Sequence, residues 1–303
     1  MSKLNVVMPR WVTGIVLGVG LSVSVAGAQL SGGYVESIGS HNGGIDWTQG
    51  ILYVEGNGAP PANAVNAAQA RMMAERAAKV DAYRNLVEVM NGVRVEGMTL
   101  VENMTVSSDI VKTQVQGILR GAQVQKSVVA PDGGVTVTMA IKLTGELANV
   151  LLPKQVGGGA PVVTPAPAVP VMPAAPSAPA APAAESVQSG VAYTGLIVDA
   201  RGTGVRPAMA PKIVNEEGRE VYGSAFVNRQ YAVEQGMVGY IKDIAAAQAN
   251  NRVTNRPLLV KALKTSGNGK TDLVISNGDA QSLHGLKDNL NFLEKARVMI
   301  VLD

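Results

Sequence analysis

The 303-residue chain contains no cysteine and only two histidines, His41 and His284. The missing thiols exclude disulfide bonds, thiol catalysis and cysteine-based metal sites, and they also exclude a lipid anchor on a mature N-terminal cysteine. The two histidines lie in different predicted domains, which disfavours a histidine metal centre or a Ser-His-Asp relay. We therefore predict that the protein holds no metal ion and no cofactor.

Aromatic residues make up only 4% of the chain, although hydrophobic residues reach 47%. Abundant alanine, valine and glycine predict small, closely packed cores. Few aromatic rings are available as a sugar platform, which disfavours a glycoside hydrolase. The charge is also low, because the net charge of +3 falls to +1 without the presequence cations Lys3 and Arg10. So small a charge argues against a nucleic-acid partner.

The first 28 residues have the composition of an export signal. Lys3 and Arg10 precede an apolar run at 11–25, and small residues follow up to Ala28. This order is typical of a secretory signal peptide, which we expect to be cleaved between Ala28 and Gln29. The alternative is an uncleaved membrane anchor, but a bilayer span needs about 20 apolar residues and this run has about 15. We predict an exported, periplasmic protein.

Composition also divides the rest of the chain. Eight of the 16 prolines fall at 157–190, and no charged residue occurs between Lys154 and Glu185. Such a segment favours an extended, semi-rigid spacer over a packed core. The predicted segments are a signal peptide at 1–28, a flexible lead-in at 29–44, an α+β domain at 45–153, a Pro/Ala-rich linker at 154–190 and a C-terminal α+β (mixed α/β) domain at 191–303.

The longest periodic segment, at 62–92, predicts a single helix of about 45 Å. Pro60 and Pro61 suit its first turn, and Asn91 and Gly92 suit its end. Apolar residues recur at three- and four-residue steps, so we expect one face to be buried against a sheet. The predicted buried face consists of Ala70, Met73, Ala74, Ala77, Val80, Val87 and Met90, widened by Tyr83 and Leu86.

Valine-rich strands are predicted on either side of this helix in the sequence. Runs at 119–130 and 135–144 flank a Pro-Asp-Gly-Gly turn at 131–134, which indicates a hairpin. Alternation at 135–139 predicts one buried sheet face. With a further strand at 45–56, the first domain is predicted as a long helix packed on a small antiparallel sheet.

Two glycine motifs in the C-terminal domain invite a nucleotide-binding interpretation, but both fall short of it. Gly202-x-Gly204 follows a predicted strand but lacks the third glycine and the helix of the dinucleotide fingerprint. The stretch at 267–270 lacks the spacing of a phosphate-binding loop. We interpret the first motif as a structural loop and the second as a hairpin turn.

We predict no catalytic residues. The tentative partner-binding surface is the loop at 199–211, which carries Arg201, Arg206 and Met209. The alternative for this loop is a solvated connector with no binding role.

Residues 47–152 resemble the domain of the Lpp-twenty lipoprotein family, which includes FlgP- and FlgT-like flagellar and outer-membrane-associated proteins. The pattern comprises an alanine-rich helix, a glycine-ended turn and the valine hairpin. The matching residues are Ala70-Arg71, Ala74 to Ala78, Asp81 to Leu86, Gly92 to Val95, Ser108-Asp109, Gly117, Gly121-Ala122 and Val124.

The resemblance implies a non-enzymatic envelope protein that assembles around outer-membrane structures, in some members as a ring near the flagellar motor. Lipoprotein members carry a lipidated cysteine, which this chain lacks, so a soluble periplasmic state fits better. We therefore predict that the chain is not an enzyme and acts by self-assembly or by binding protein partners, with outer-membrane or flagellar components as the expected context. The alternative is a soluble periplasmic enzyme or a cell-wall-binding module with its site in the C-terminal domain.

Overall fold

The structure is a computed structural model. The predicted signal peptide, its cleavage position at Ala28 and Gln29, His41 and the predicted linker lie outside the described residues. We call the part at 33–153 the first lobe and the part at 193–303 the second lobe. The described residues are 33–38, 43–153, 193–285 and 287–303.

The first lobe contains seven strands and four helices among its described residues. Its elements are β1 (Val35–Ser37), β2 (Gly43–Asp46), β3 (Ile51–Gly58), α1 (Ala67–Asn91), β4 (Arg94–Glu96), β5 (Thr99–Leu100), α2 (Val101–Ser107), α3 (Asp109–Arg120), β6 (Gln123–Val129), β7 (Val135–Lys142) and α4 (Glu146–Leu151).

A five-stranded antiparallel sheet forms the base of this lobe, in the order β1-β2-β3-β7-β6. Helix α1 packs across β3 and β7. On β7 the side chains of Val135, Val137 and Met139 are buried under it, while the intervening residues are less covered. The α+β fold, with a long helix on a small antiparallel sheet, is confirmed.

The buried face of α1 differs from the predicted one. Met73, Val80 and Val87 were expected in the core, but 42%, 52% and 42% of their surfaces are exposed. They point to the side opposite the sheet. The residues that do face the core are Ala74, Ala78, Ala82, Leu86, Val89 and Met90.

The close approach of α1 to β3 explains this choice of residues. A Cβ atom added at Gly58 would lie 2.0 Å from the carbonyl oxygen of Ala74, and one added at Gly56 would lie 2.1 Å from the backbone nitrogen of Ala82. The two backbones are therefore nearly in contact, and only small side chains fit between them. Alanines at four-residue intervals meet this requirement, whereas methionine and valine do not.

Several element boundaries also differ from expectation. Helix α1 begins after Asn66, whose side chain accepts a hydrogen bond from the Gln69 amide (2.8 Å). Pro60 and Pro61, which were expected in its first turn, therefore lie in the loop before the helix. Helix α3 begins after Ser108, whose side chain accepts a hydrogen bond from the Val111 amide, and it continues through Gly117.

The second lobe continues with eight strands and four helices among its described residues. Its elements are β8 (Gly195–Asp199), β9 (Ile213–Val214), β10 (Glu220–Tyr222), α5 (Arg229–Gln235), β11 (Gly239–Ile241), α6 (Ile244–Gln248), β12 (Pro257–Lys261), β13 (Lys264–Ser266), β14 (Asp272–Val274), α7 (Asn277–His284), α8 (Lys287–Glu294) and β15 (Val298–Val301).

A four-stranded parallel sheet, in the order β11-β15-β8-β12, forms the centre of the second lobe. All four residues of β15 are buried, as expected for a parallel strand covered on both faces. A smaller mixed sheet has the order β10-β9-β14-β13. The predicted mixed α/β character is present, and the parallel order is new information.

The two lobes share one buried hydrophobic cluster, and all described residues belong to one compact unit. The predicted domain boundaries at 153 and 191 remain a prediction. None of the helices in the described stretches is long and apolar enough to cross a membrane.

Candidate functional site

A group of buried polar contacts lies where the lobes meet. Arg94 on β4 is only 5% exposed, and its guanidinium forms an ion pair with the carboxylate of Glu36 on β1. The indole of Trp47 donates to the same carboxylate at 2.8 Å. A buried charge is tolerated only when it is paired in this way.

Arg94 also contacts the second lobe. Its Nε donates to the carbonyl oxygen of Pro207 at 2.6 Å, and its guanidinium carbon lies 6.0 Å from the centre of the Trp47 ring. Arg94 therefore connects a strand of one lobe to a loop of the other.

Tyr240 on β11 of the second lobe adds a further set of contacts at this junction. Its hydroxyl donates to the carbonyl oxygen of Ala208 (2.8 Å) and accepts from the Ala208 amide (3.0 Å). Its ring meets Trp47 edge-on at 5.7 Å, and Thr48 Oγ1 donates to its carbonyl oxygen at 2.7 Å. Burial raises the pKa of Tyr240, so the phenol stays neutral and serves as a fixed donor and acceptor.

Backbone hydrogen bonds join the lobes beside these side chains. The amide of Met209 donates to the Arg94 carbonyl (2.9 Å), and that of Ala210 donates to the Val95 carbonyl (2.7 Å). The loop at 205–210 thus lies along β4.

This arrangement separates the three residues of the tentative partner-binding loop. Met209 is 9% exposed and packs in the shared cluster. Arg201 is exposed and forms an ion pair with Asp199 (2.8 Å), which lowers the pKa of the Asp199 carboxyl. Arg206 is exposed, and its amide donates to the Lys270 carbonyl (2.8 Å). The structure does not bring the three side chains together, and their partner role remains a prediction.

A cavity of about 90 Å³ adjoins the junction. It is small compared with pockets for small ligands, which measure about 300–1,000 Å³. Its walls come from the turn after β2, from α4 and from the segment between α5 and β11. They include Trp47, Thr48, Thr144, Ala148, Met209, Gln235, Tyr240 and Arg252.

Arg252 in the cavity wall holds the ends of two helices together. Its guanidinium donates to the carbonyl oxygens of Gly236 (3.1 Å) and Ala296 (2.9 Å) and also to that of Gln235. These carbonyls end α5 and follow α8, where the helix dipole favours a cation. Burial lowers the pKa of Arg252, but an arginine remains charged. Arg252 therefore has a structural role in the cavity wall, because its guanidinium is already hydrogen-bonded to these carbonyls.

A second group of charges joins the lobes near β4. Lys212 Nζ lies 2.5 Å from a carboxylate oxygen of Glu96, and this hydrogen bond raises the pKa of Lys212. Glu220 faces the same group, and burial raises the pKa of its carboxyl. Its Oε1 has no hydrogen-bond partner among the described residues.

Only faint signals of this junction are present in the sequence. Arg94 stands between Val93 and Val95, and all three are buried, so a charge inside an apolar run was the available clue. Trp47 is one of only two tryptophans. Elsewhere in the chain, no group of three or more His, Asp or Glu side chains among the described residues is placed to hold a metal ion.

A search of curated proteins found no significant match to this chain. The resemblance of residues 47–152 to the Lpp-twenty family is wrong, because comparison with family models gives a match to another family in another part of the chain. The alanines on which the resemblance rested are explained by steric constraint, because Ala74 and Ala78 contact the backbone of β3. The matched stretch is 195–303, about a third of the chain, and the second lobe is thus similar to the family described as Treponema pallidum Tp0624, second domain.

Proposed function

We propose that this chain is an exported envelope protein that acts by binding and assembly rather than by catalysis. The observation that carries the proposal is the outer face of α1, where Met73, Val80 and Val87 are aligned and exposed. Exposed apolar residues on soluble proteins are ordinarily scattered, and aligned groups mark interaction surfaces. This stripe extends over about 21 Å of helix.

The edge strand β6 supports the same proposal. Every residue of β6 is exposed, and β6 is the last strand of its sheet. An edge strand presents unpaired backbone groups to which another chain can add a strand. Val124, Val128 and Val129 add apolar surface there.

The junction between the lobes supports the proposal through rigidity. Arg94, Trp47 and Tyr240 are engaged in contacts within the chain, so they act as a joint. A rigid joint holds the second lobe in one position relative to these surfaces of the first lobe, so less conformational freedom is lost when the chain assembles. The flagellar context came only with the Lpp-twenty resemblance and is not part of the proposal.

Mild cross-linking of cells that export the protein tests this function. We expect the wild-type chain to be captured in larger species, and we expect a variant with Met73→Gln, Val80→Gln and Val87→Gln to lose them. Val106→Gln on α2 is the matched control, because Val106 is 82% exposed but lies off the stripe. Capture of the wild-type chain only as a monomer contradicts the proposal, as does equal capture of the triple variant with unchanged circular dichroism.

A further inference from the structure

We infer that a second copy of this chain covers the outer face of α1, with the two helices antiparallel about a two-fold axis beside Val80. This inference rests on the proposed function and names its partner. The core side of α1 is already covered by β3 and β7. The outer side carries three aligned apolar residues with charged residues beside them, and a partner that covers it would remove these apolar side chains from water.

The spacing of the stripe is self-complementary. Met73 and Val87 each lie seven residues from Val80, which is two helical turns. When two such helices run antiparallel about Val80, each Val80 meets its equivalent, and Met73 of each copy meets Val87 of the other. An interface with two-fold symmetry requires this property, because the same patch must fit itself.

The residues beside the stripe fit the same arrangement. Arg76 and Tyr83 lie on one flank, at nearly equal distances from Val80 in opposite directions. Each Arg76 is therefore placed beside Tyr83 of the second copy, where a guanidinium can stack on the ring. The Tyr83 hydroxyl donates to the Arg120 carbonyl (3.1 Å), which holds the ring in position.

The opposite flank carries a small residue against a large one. Ala77 of each copy faces Arg84 of the other, so the long side chain has room and no two like charges meet directly across the axis. Antiparallel pairing thus satisfies the stripe and both flanks.

The size of the stripe sets the strength of the contact. A pair of helices in contact over about 21 Å buries roughly 1,000 Å² in total, just below the usual range for stable specific interfaces of about 1,200–2,000 Å². We therefore expect a weak dimer that exchanges with monomer.

The absence of cysteine allows a clean test in the full exported chain. Val80→Cys should form a disulfide-linked dimer under mild oxidation, because residues at the axis face their own equivalents. Val106→Cys is the control, since this more exposed position lies off the stripe. A mixture of Met73→Cys and Val87→Cys chains should cross-link at least about tenfold faster than either variant alone.

Equal cross-linking rates for Val80→Cys and Val106→Cys overturn the inference, and so does faster linking of Met73→Cys to itself than to Val87→Cys. Sedimentation of the wild-type chain over a range of concentrations gives a measurement that does not depend on any variant. If the wild type remains monomeric but cellular cross-linking captures other proteins, the dimer is overturned and the proposed function stands. Monomer with no capture overturns both.

Discussion

Arg94 is a buried charged residue that contacts both lobes. Its charge is buried, and its partners are the Glu36 carboxylate, the Pro207 carbonyl and the Trp47 ring. The net contribution of such an ion pair is small, because the attraction mostly offsets the cost of removing both charges from water. Removal of one member is costly, because the other is left buried without a partner.

Arg94→Ala should therefore lower the free energy of unfolding by about 3 kcal/mol. Arg201→Ala is the control, since Arg201 pairs with Asp199 at an exposed position where ion pairs contribute little. Urea unfolding followed by tryptophan fluorescence measures both effects, with Trp47 as the reporter in the junction. Equal stability of the two variants would contradict the structural role assigned to Arg94.

Glu220 gives a prediction about pH. Burial raises the pKa of its carboxyl, although Lys212 nearby acts in the opposite direction and Glu96 and Asp272 in the same one. A carboxyl with a raised pKa in the folded state stabilises the fold fully below its unfolded pKa and loses this contribution as the pH rises through the folded pKa. Ionisation of the Glu220 carboxyl therefore costs the folded state stability as the pH rises.

Glu220→Gln should raise the melting temperature at pH 7 and change it little near pH 4, where the wild-type carboxyl is already largely protonated. Thermal melting of both proteins at the two pH values measures this difference. Glu217→Gln is the control, because Glu217 is an exposed acid close by in the sequence. An equal gain from Glu220→Gln at both pH values would show that burial of its charge is not the cause.

Among the elements, the crossing of α1 over β3 has the least tolerance for added atoms. A methyl group at Gly58 would meet the Ala74 carbonyl oxygen, and backbone atoms cannot move aside as a flexible side chain can. Gly58→Ala should lower the free energy of unfolding by about 2–3 kcal/mol.

Gly117→Ala on α3 is the matched control for this substitution, since nothing lies within 4 Å of the added methyl group. Alanine in a helix interior should raise stability by about 0.5–1 kcal/mol. Urea titration of both variants decides the matter, and a neutral Gly58→Ala would mean that helix and strand are farther apart than described.

Local sequence patterns predicted the positions of helices and strands better than they predicted which face of each is buried. The hairpin of β6 and β7 and the long helix followed from turn residues and helix-forming residues. The buried face of α1 did not, because alanine, valine and methionine are equally apolar in a periodic pattern. Gly56 and Gly58, two residues apart on β3, were the missing information, since they show that only small side chains fit above that strand.

The junction could not be predicted in the same way. Arg94 and Pro207 lie 113 positions apart, and Thr48 and Tyr240 lie 192 apart. Periodicity and turn chemistry act over a few residues, so they contain no information about such pairs. For the same reason, local sequence patterns could not predict the order of the parallel strands in the second lobe.

At the scale of the whole molecule, we expect the two lobes to remain bound to each other after the chain between them is cut. A protease site introduced at 170 in the predicted linker allows the chain to be cut there. We expect both fragments to elute together in size-exclusion chromatography, because buried side chains and the amides of Met209 and Ala210 join them. Tyr240→Ala provides the comparison, since it removes contacts to Ala208 and Trp47. Separate elution of the wild-type fragments would contradict a shared core.

The distance along the chain between these partners also has a consequence in time. The N-terminal part of a chain leaves the ribosome first. Arg94 and Trp47 therefore cannot contact Pro207 and Tyr240 until the later part of the chain has been synthesised. Until those residues arrive, Arg94 lacks its Pro207 partner, and the side chains of the first lobe that the second lobe covers remain in contact with water. Such late contacts are slow to form, because a long stretch of chain must be closed before they stabilise anything. Maturation of this protein is therefore expected to end with the joining of its two halves.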